Sequence, residues 1–237
     1  KITTFFLLLV VCTACYFYNP GQFYFLNDDF VHIPLSSGGH LLQHGFFRPL
    51  CDLSIMLDYW IWGIQAWGYH FTNLVLHIIN SAGCFFLCRL ILNKYGFSGD
   101  ATRVSTIVAI LFFIYAMHSE SIFWILGRSA ALGCLFFIPA LFFYLKRGGN
   151  FLAFILSVLF MGLSWSSYES TWILPIIVLT FSAVDVKARR STVKKELFYT
   201  IIVFLIFGAY LWVRYSFIGE FLSDYGATSF LSLDIPM

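Results

Sequence analysis

The sequence predicts an all-α protein, a polytopic bundle of transmembrane helices. Hydrophobic residues occupy 60% of the 237 positions and charged residues only 11%, and the mean hydropathy is +0.83. Apolar runs of about 20 residues recur along the chain, and each is long enough to cross a bilayer core as a helix. These observations exclude a soluble domain, and we predict one membrane module over residues 1–237.

Seven spans follow from the hydropathy pattern. The first carries the aromatic residues Tyr16, Phe17 and Tyr18 and lacks a small-residue cleavage site, so a retained helix is predicted rather than a signal peptide. Because the chain starts at Lys1 and ends at Met237 just after a loop begins, we expect a C-terminal remainder beyond it. The predicted spans are 2–18, 70–92, 104–117, 129–145, 151–164, 171–184 and 198–217.

When these spans alternate across the membrane, most basic residues fall on one side of it and most acidic residues on the other. Of the 14 Lys and Arg residues, only Arg48, Arg128 and Arg214 fall on one side. The rule that basic residues stay in the cytoplasm makes this minority side external. Most acidic residues and all six histidines fall on the same external side. We therefore predict a working surface on the non-cytoplasmic face.

The external connection over residues 19–69 is long for a loop, and long loops often have a function. From Pro49 onwards it is rich in apolar residues, and this apolar segment ends with Trp60, Ile61 and Trp62. Pro49 suits the first turn of a helix, and the composition predicts an interfacial helix lying on the bilayer. A segment packed on the helical bundle is the alternative.

Asp28 and Asp29 follow the first span and are the strongest candidates for chemistry. Ionisable groups close to a membrane are costly and usually functional. Two adjacent carboxylates repel, which raises the proton affinity of one of them. One could then act as a general base while the other binds a metal or orients a substrate. The alternative is a solvated loop that caps a short helix.

His70, Asn73 and His77 share one stripe of a predicted helix. The two histidines lie two turns, about 10 Å, apart along the axis. Zn–N bonds of about 2 Å rule out a shared zinc ion. We predict that the stripe lines a groove and binds a phosphate or a sugar; histidines satisfied by neighbouring helices are the alternative.

His118, Glu120, Trp124 and Arg128 form a third cluster between two spans. If this segment is helical, the last three residues lie on one face, where polar groups and an indole would suit a sugar. Arg128 or Arg48 could clamp a phosphate through two hydrogen bonds. An Arg–Glu ion pair beside an interfacial Trp is the alternative.

Glu169 lies in a polar break between two apolar runs. A carboxylate there is costly unless it faces a wet cavity. The sequence contains no Walker loop, no G-x-S-x-G elbow, no HExxH motif and no dinucleotide-binding fingerprint. Soluble hydrolase and nucleotide chemistry are therefore not supported.

The order of these motifs resembles the GT-C superfamily of polyprenyl-phosphate-sugar-dependent glycosyltransferases. It is similar to the protein O-mannosyltransferase-like branch, which includes the tetratricopeptide-bearing membrane mannosyltransferases. The resemblance covers residues 27–175, and Tyr115-Ala116 stands where that family often has His-Pro. Its motifs are Asp28-Asp29, Arg48-Pro49-Leu50, Tyr69-His70-x-x-Asn73 and Glu120-x-x-x-Trp124-x-x-Gly127-Arg128.

The resemblance implies a GT-C-type hexosyltransferase that moves a sugar from an undecaprenyl or dolichyl phosphate to an acceptor hydroxyl. It places the base or metal function on Asp28 and Asp29, with a divalent cation, Mg²⁺ or Mn²⁺, as the one cofactor considered. Its partners would be the lipid-linked donor, a protein or glycan acceptor and membrane lipids, with no nucleic acid. The residues expected to bind substrate are Arg48, His70, Asn73, His77, His118, Glu120, Trp124, Arg128 and Glu169.

Two other functions stay open at the level of sequence. A transporter or flippase for a lipid-linked or polar solute could use the same acids to bind cations, although transporters usually place ionisable groups near the bilayer midplane. A non-catalytic subunit of an envelope assembly is a third possibility. The expected location is the plasma membrane with an external site in a prokaryote, or the endoplasmic reticulum with a luminal site in a eukaryote.

Overall fold

The computed structural model describes residues 23–26, 28–38 and 46–219, and every regular element within these ranges is a helix. The predicted all-α class is confirmed for this part of the chain. Three short 3-10 helices, Ala116–His118, Ile125–Gly127 and Glu169–Ile173, connect the longer elements. The α-helices are α1 (Asp29–Ser37), α2 (Pro49–Trp62), α3 (Ala66–Lys94), α4 (Ala101–Ile114), α5 (Ser119–Phe123), α6 (Arg128–Lys146), α7 (Phe151–Trp165), α8 (Leu174–Lys187) and α9 (Val193–Ile218).

Within the described ranges, four helical segments are long and apolar enough to cross a membrane: Ala66–Lys94, Ile125–Lys146, Glu169–Lys187 and Val193–Ile218. A fifth span is possible if α4 and Ala116–Phe123, which meet at a 50° bend, cross together.

The prediction of seven spans is therefore only partly supported. The span predicted over 151–164 corresponds to α7, which has 15 residues. At 1.5 Å per residue this helix is about 22 Å long, less than the roughly 30 Å of a bilayer core. The first predicted span, 2–18, lies outside the described residues, as does part of the 19–69 connection, whose described parts contain α1 and α2.

Helix α2 begins at Pro49, as predicted, and it is polar on its inner side. Asp52 and Asp58 are buried, whereas Trp60 and Ile61 are 68% and 67% exposed. This arrangement is the reverse of a surface helix in a soluble protein, which turns its charges outward. The helix therefore packs on the bundle and also presents an apolar outer face; contact of that face with a bilayer stays a prediction.

Close backbone approaches join the central helices, as is usual for helices packed within a membrane. The Ser157 and Ser164 hydroxyls of α7 donate to the carbonyl oxygens of Ala140 and Gly133 in α6, at 2.8 and 2.9 Å. Large buried side chains fill the space between α6, α7, α8 and α9. They include Tyr144, Met161, Trp165, Leu174, Val178 and Val203.

Ion pairs gather at the two ends of the bundle. Lys94, at the last turn of α3, pairs with Asp185 of α8 at 2.8 Å, and Arg147 pairs with Glu196 beside it. The second group lies at the opposite end, where α3 begins, and includes Arg128 with Asp58. The bundle therefore has two chemically distinct ends, and the assignment of the first to the cytoplasm stays a prediction.

Candidate active site

A cavity of about 310 Å³ lies at the end of the bundle where α1 and α2 begin. It brings together three of the residues predicted to act on substrate: Asp28, Arg48 and Trp124. Carboxylates can accept a proton from a hydroxyl, a guanidinium can bind a phosphate, and an indole can pack against a sugar ring. Among the described residues, the lining consists of Asp28, His32, Phe46, Arg48, Cys51, Asp52, Trp124 and Leu126.

Asp28 and Asp29 lie in different environments. Asp28 precedes α1 but makes no side-chain capping hydrogen bond, and its exposed carboxylate lines the cavity. Asp29 is 1% exposed, and its Oδ2 accepts a hydrogen bond of 2.9 Å from the Leu26 N–H. Burial raises the pKa of the Asp29 carboxyl above its usual range. The two carboxylates therefore lie in different environments, and of the two only Asp28 lines the cavity.

A metal site is not formed by the side chains that the structure describes. No group of three His, Cys, Asp or Glu residues among them is arranged to hold an ion. The divergence of Asp28 and Asp29 gives the physical reason, because adjacent residues at a helix start project about 100° apart. Mg²⁺ is usually held by one or two carboxylates together with water and substrate phosphates, so the role of a divalent cation stays a prediction.

Arg48 is held at the cavity by Glu169. The Arg48 Nε and Nη2 atoms each lie 2.8 Å from Glu169 Oε2. Arg214, which is fully buried in α9, lies 3.7 Å from the other carboxylate oxygen. Glu169 thus avoids the cost of a lone carboxylate by pairing with two arginines, rather than by lining the cavity itself.

Aromatic rings also support Arg48. Its guanidinium carbon lies 4.6 Å from the centre of the Phe46 ring and 5.0 Å from that of Tyr168. Contacts of this kind favour a cation and limit the motion of the side chain. Arg48 therefore presents a positioned positive charge to the cavity.

His70 and Asn73 lie beneath the cavity and bind backbone atoms. The two ring nitrogens of His70 each lie 3.2 Å from a carbonyl oxygen, one of Tyr24 and one of Ile122. The Asn73 amide donates to the Trp124 carbonyl at 3.2 Å. Both side chains are buried, so this arrangement matches the alternative in which they are satisfied by neighbouring segments. They tie the chain before Asp28 and the loop carrying Trp124 to α3.

Arg128 is also part of this buried layer. It is fully buried, donates from Nε to Asn73 Oδ1 at 2.9 Å, and pairs with Asp58 at 2.6 Å. Its Nη2 donates to the Tyr69 carbonyl at 3.1 Å. The structure therefore gives no support to Arg128 as a phosphate clamp and leaves Arg48 as the arginine at the cavity.

The expected stripe of Glu120, Trp124 and Arg128 is not formed, because the helix is interrupted. Helix α5 ends at Phe123, and Trp124 adopts an extended conformation with φ −103° and ψ 123°. Glu120 is left exposed outside the cavity, whereas Trp124 lines it. The Trp124 Nε1 atom is buried without a hydrogen-bond partner among the described residues.

His77 and His118 contact each other away from the cavity. Their ring centres lie 5.2 Å apart. His77 Nε2 lies 3.0 Å from the Phe113 carbonyl oxygen, and His118 Nδ1 lies 2.8 Å from that of Phe112. These contacts join the bend after α4 to α3, and neither histidine lines the cavity with Asp28.

Among the site residues that were not predicted from the sequence are His32, Asp52 and Asp58. Asp52 and His32 line the cavity, and Asp58 neutralises Arg128. A signal was present for the two acids, since a carboxylate within an otherwise apolar helix is expensive. No comparable signal exists for His32, which follows Asp28 by one helical turn.

Cys51 also lines the cavity but is a poor nucleophile. Burial raises the pKa of its thiol to about 12, and the thiolate is the reactive form. Burial therefore disfavours the thiolate form of Cys51 near neutral pH. The basic groups in the described lining are then Asp28, Asp52 and His32.

These features define an all-helical membrane protein with a polar cavity at one end, bordered by carboxylate, guanidinium and indole groups. The chain is 32% identical over 122 residues, or 52% of its length, to the protein O-mannosyl-transferase TMTC3 of Mus musculus. It is 31% identical over 123 residues to Tmtc1 of Drosophila melanogaster, and 26% identical over 183 residues to Tmtc3 of the same organism, both with the same description.

The matches cover 52% to 63% of this chain but only 12% to 20% of these curated relatives. No protein-family model matches the chain, and no solved structure matches it.

Proposed function

We propose that this chain contains the catalytic end of a membrane glycosyltransferase. The reaction would transfer a sugar from a polyprenyl-phosphate donor to an acceptor hydroxyl on the non-cytoplasmic face. The single observation that carries the proposal is the cavity in which Asp28 and Arg48 meet, in a chain similar to proteins named O-mannosyl-transferases. Those names favour mannose as the sugar and a protein side-chain hydroxyl as the acceptor.

Asp28 is the proposed base. Its carboxylate takes the proton of the acceptor hydroxyl while the oxygen attacks the anomeric carbon of the donor. The bond between that carbon and the phosphate oxygen breaks, and its electron pair leaves on the lipid phosphate. By analogy with the family that the motifs resemble, attack in line inverts the anomeric centre.

Arg48 is the proposed site of the leaving group. The developing negative charge on the phosphate is stabilised by a guanidinium that is already in position, which costs no reorganisation during the reaction. A second acidic group is not required, because a phosphate leaves as a stable anion. Trp124 would pack its indole on the sugar ring.

The first experiment is a transfer assay on the full-length protein in nanodiscs, with radiolabelled polyprenyl-phosphate mannose and a peptide acceptor. Because it lacks the proposed base, the Asp28→Asn variant is expected to transfer sugar about 10²- to 10⁴-fold more slowly than wild type. Asp100→Asn is the matched control: Asp100 caps α4 at the opposite end of the bundle, and Asn is an equally good capping residue.

The possible outcomes distinguish an enzyme that uses Asp28 as its base, an enzyme that does not, and a transporter. Label in the acceptor that is lost in Asp28→Asn supports the enzyme and its base together. Equal transfer by Asp28→Asn and Asp100→Asn would refute the assignment of the base. Movement of the donor across the membrane without a new glycosidic bond would instead support the transporter.

A further inference from the structure

A second polar cavity, of about 560 Å³, lies at the other end of the bundle. It is bordered by the ends of α3, α6 and α8 and the beginning of α9, far from Asp28. Five basic and two acidic side chains line it, which leaves an excess of three positive charges. The basic residues are Lys94, Lys146, Arg147, Arg190 and Lys195, and the acidic residues are Asp185 and Glu196.

The two carboxylates are already engaged within the protein. Asp185 accepts hydrogen bonds from Lys94 at 2.8 Å and from the Tyr95 hydroxyl at 3.1 Å. Glu196 pairs with Arg147, and both of these side chains are buried. This network joins the helix ends and consumes two of the five positive charges.

The other three cations have no carboxylate within 4.0 Å among the described residues. Lys146 lies 4.4 Å from the centre of the Phe142 ring, and Arg190 lies 4.9 Å from that of Tyr95. Lys195 donates to the backbone carbonyl of Gly148. Their positive charge is therefore not compensated by side chains of this part of the chain.

Unpartnered donors point to a ligand independently of the charge. Arg147 is 2% exposed, and its Nε has no hydrogen-bond partner among the described residues. The buried Ser191 hydroxyl oxygen in the same cavity also lacks one. A buried polar group without a partner costs free energy, and an anion with several oxygens could satisfy both.

We propose that this cavity binds the phosphate group of an anionic membrane phospholipid. The cations lie where the apolar spans end, which is the depth of lipid headgroups, and Leu90 and Leu145 supply an apolar wall. Basic pockets between helix ends on the cytoplasmic side recognise such headgroups. The proposal does not depend on the reaction proposed for the opposite end.

The test is a binding titration of delipidated full-length protein in neutral detergent at constant ionic strength. Native mass spectrometry would count bound short-chain phosphatidic acid or phosphatidylcholine. The double variant Arg190→Gln/Lys195→Gln removes two charges from the cavity, and both side chains are exposed. Arg103→Gln/Lys187→Gln is the matched control, which removes two exposed charges at the same end but outside the lining.

Phosphatidic acid is expected to bind the wild type and the control alike and the cavity variant about 30-fold more weakly, because each Lys or Arg adds attraction near an anionic headgroup. Phosphatidylcholine should show no such difference. Equally weakened binding of phosphatidic acid in both double variants would mean that the effect depends only on net charge, and it would overturn the assignment of a specific site. Displacement of the lipid by an equal concentration of inorganic phosphate would overturn the assignment to a lipid.

Discussion

Asp28 and Asp29 have different environments although they are adjacent in sequence. Asp28 faces the cavity, whereas Asp29 is buried beside the Leu26 N–H. The sequence predicted that this pair is functional but could not tell which member meets a substrate. That choice depends on where α1 starts and how it is rotated, since each residue turns the helix by about 100°.

The pH dependence of stability should reveal the burial of Asp29. Its pKa is raised in the folded protein, so ionisation disfavours folding, and stability falls as the pH rises from the unfolded-state pKa through the folded-state pKa. Asp29→Asn removes this effect. The Tm of the variant relative to wild type is therefore expected to be higher at about pH 7 than at about pH 4.5.

Thermal unfolding of the purified protein in detergent measures this difference. Asp28→Asn serves as the control, because the Asp28 side chain is exposed. A constant difference in Tm between Asp29→Asn and wild type across the pH range would contradict burial of the Asp29 carboxyl.

The ion pair between Glu169 and Arg48 predicts that Glu169 positions Arg48, and a double-mutant cycle can test this role. Loss of a charged hydrogen bond of about 1.5–3 kcal/mol predicts that Glu169→Gln lowers kcat/KM for transfer roughly 10- to 100-fold. Arg48→Gln should lower it at least as much. Because both changes act on one guanidinium, Glu169→Gln should cost little more in an Arg48→Gln background; fully additive losses would show that the two residues act independently.

At the level of elements, the segment between α4 and α6 places Trp124 by breaking a helix. The break follows from a close backbone approach: a Cβ on Gly127 would lie 2.5 Å from the Glu120 carbonyl oxygen. Asn73 then holds the Trp124 carbonyl, and Arg128 holds Asn73. The residues of the Glu-x-x-x-Trp-x-x-Gly-Arg motif are therefore arranged so that the Trp124 indole lines the cavity.

Gly127→Ala should disturb the backbone of this segment and lower the stability of the protein. The added methyl group meets backbone rather than a flexible side chain, so a loss of about 1–3 kcal/mol is expected, as for overpacking. Gly162→Ala is the control, because a Cβ there meets open space within α7 and Ala favours a helix. Thermal unfolding should show a lower Tm for Gly127→Ala alone; an unchanged Tm would mean that the loop can shift without cost.

At the level of the whole molecule, the bundle separates a carboxylate-containing cavity from a basic one. Lys94 and His70 lie 24 positions apart on α3, which at 1.5 Å per residue corresponds to about 36 Å. This length places the two cavities at opposite ends of the spans. The free-energy effects of substitutions in the two cavities are therefore expected to be additive.

The amino-acid sequence by itself determined the helical class and part of the predicted apolar spans, because these depend on local composition. The sorting of charge across a membrane stays a prediction. It also predicted Asp28, Arg48 and Trp124 as site residues, and these three line one cavity. Only the tertiary structure decided that His70, Asn73 and Arg128 support the cavity from beneath and that Asp52 borders it. Whether a polar side chain meets a ligand or a backbone carbonyl depends on the neighbouring segment that packs against it, and contacts such as His70 with Ile122, 52 residues apart, are not encoded in local spacing.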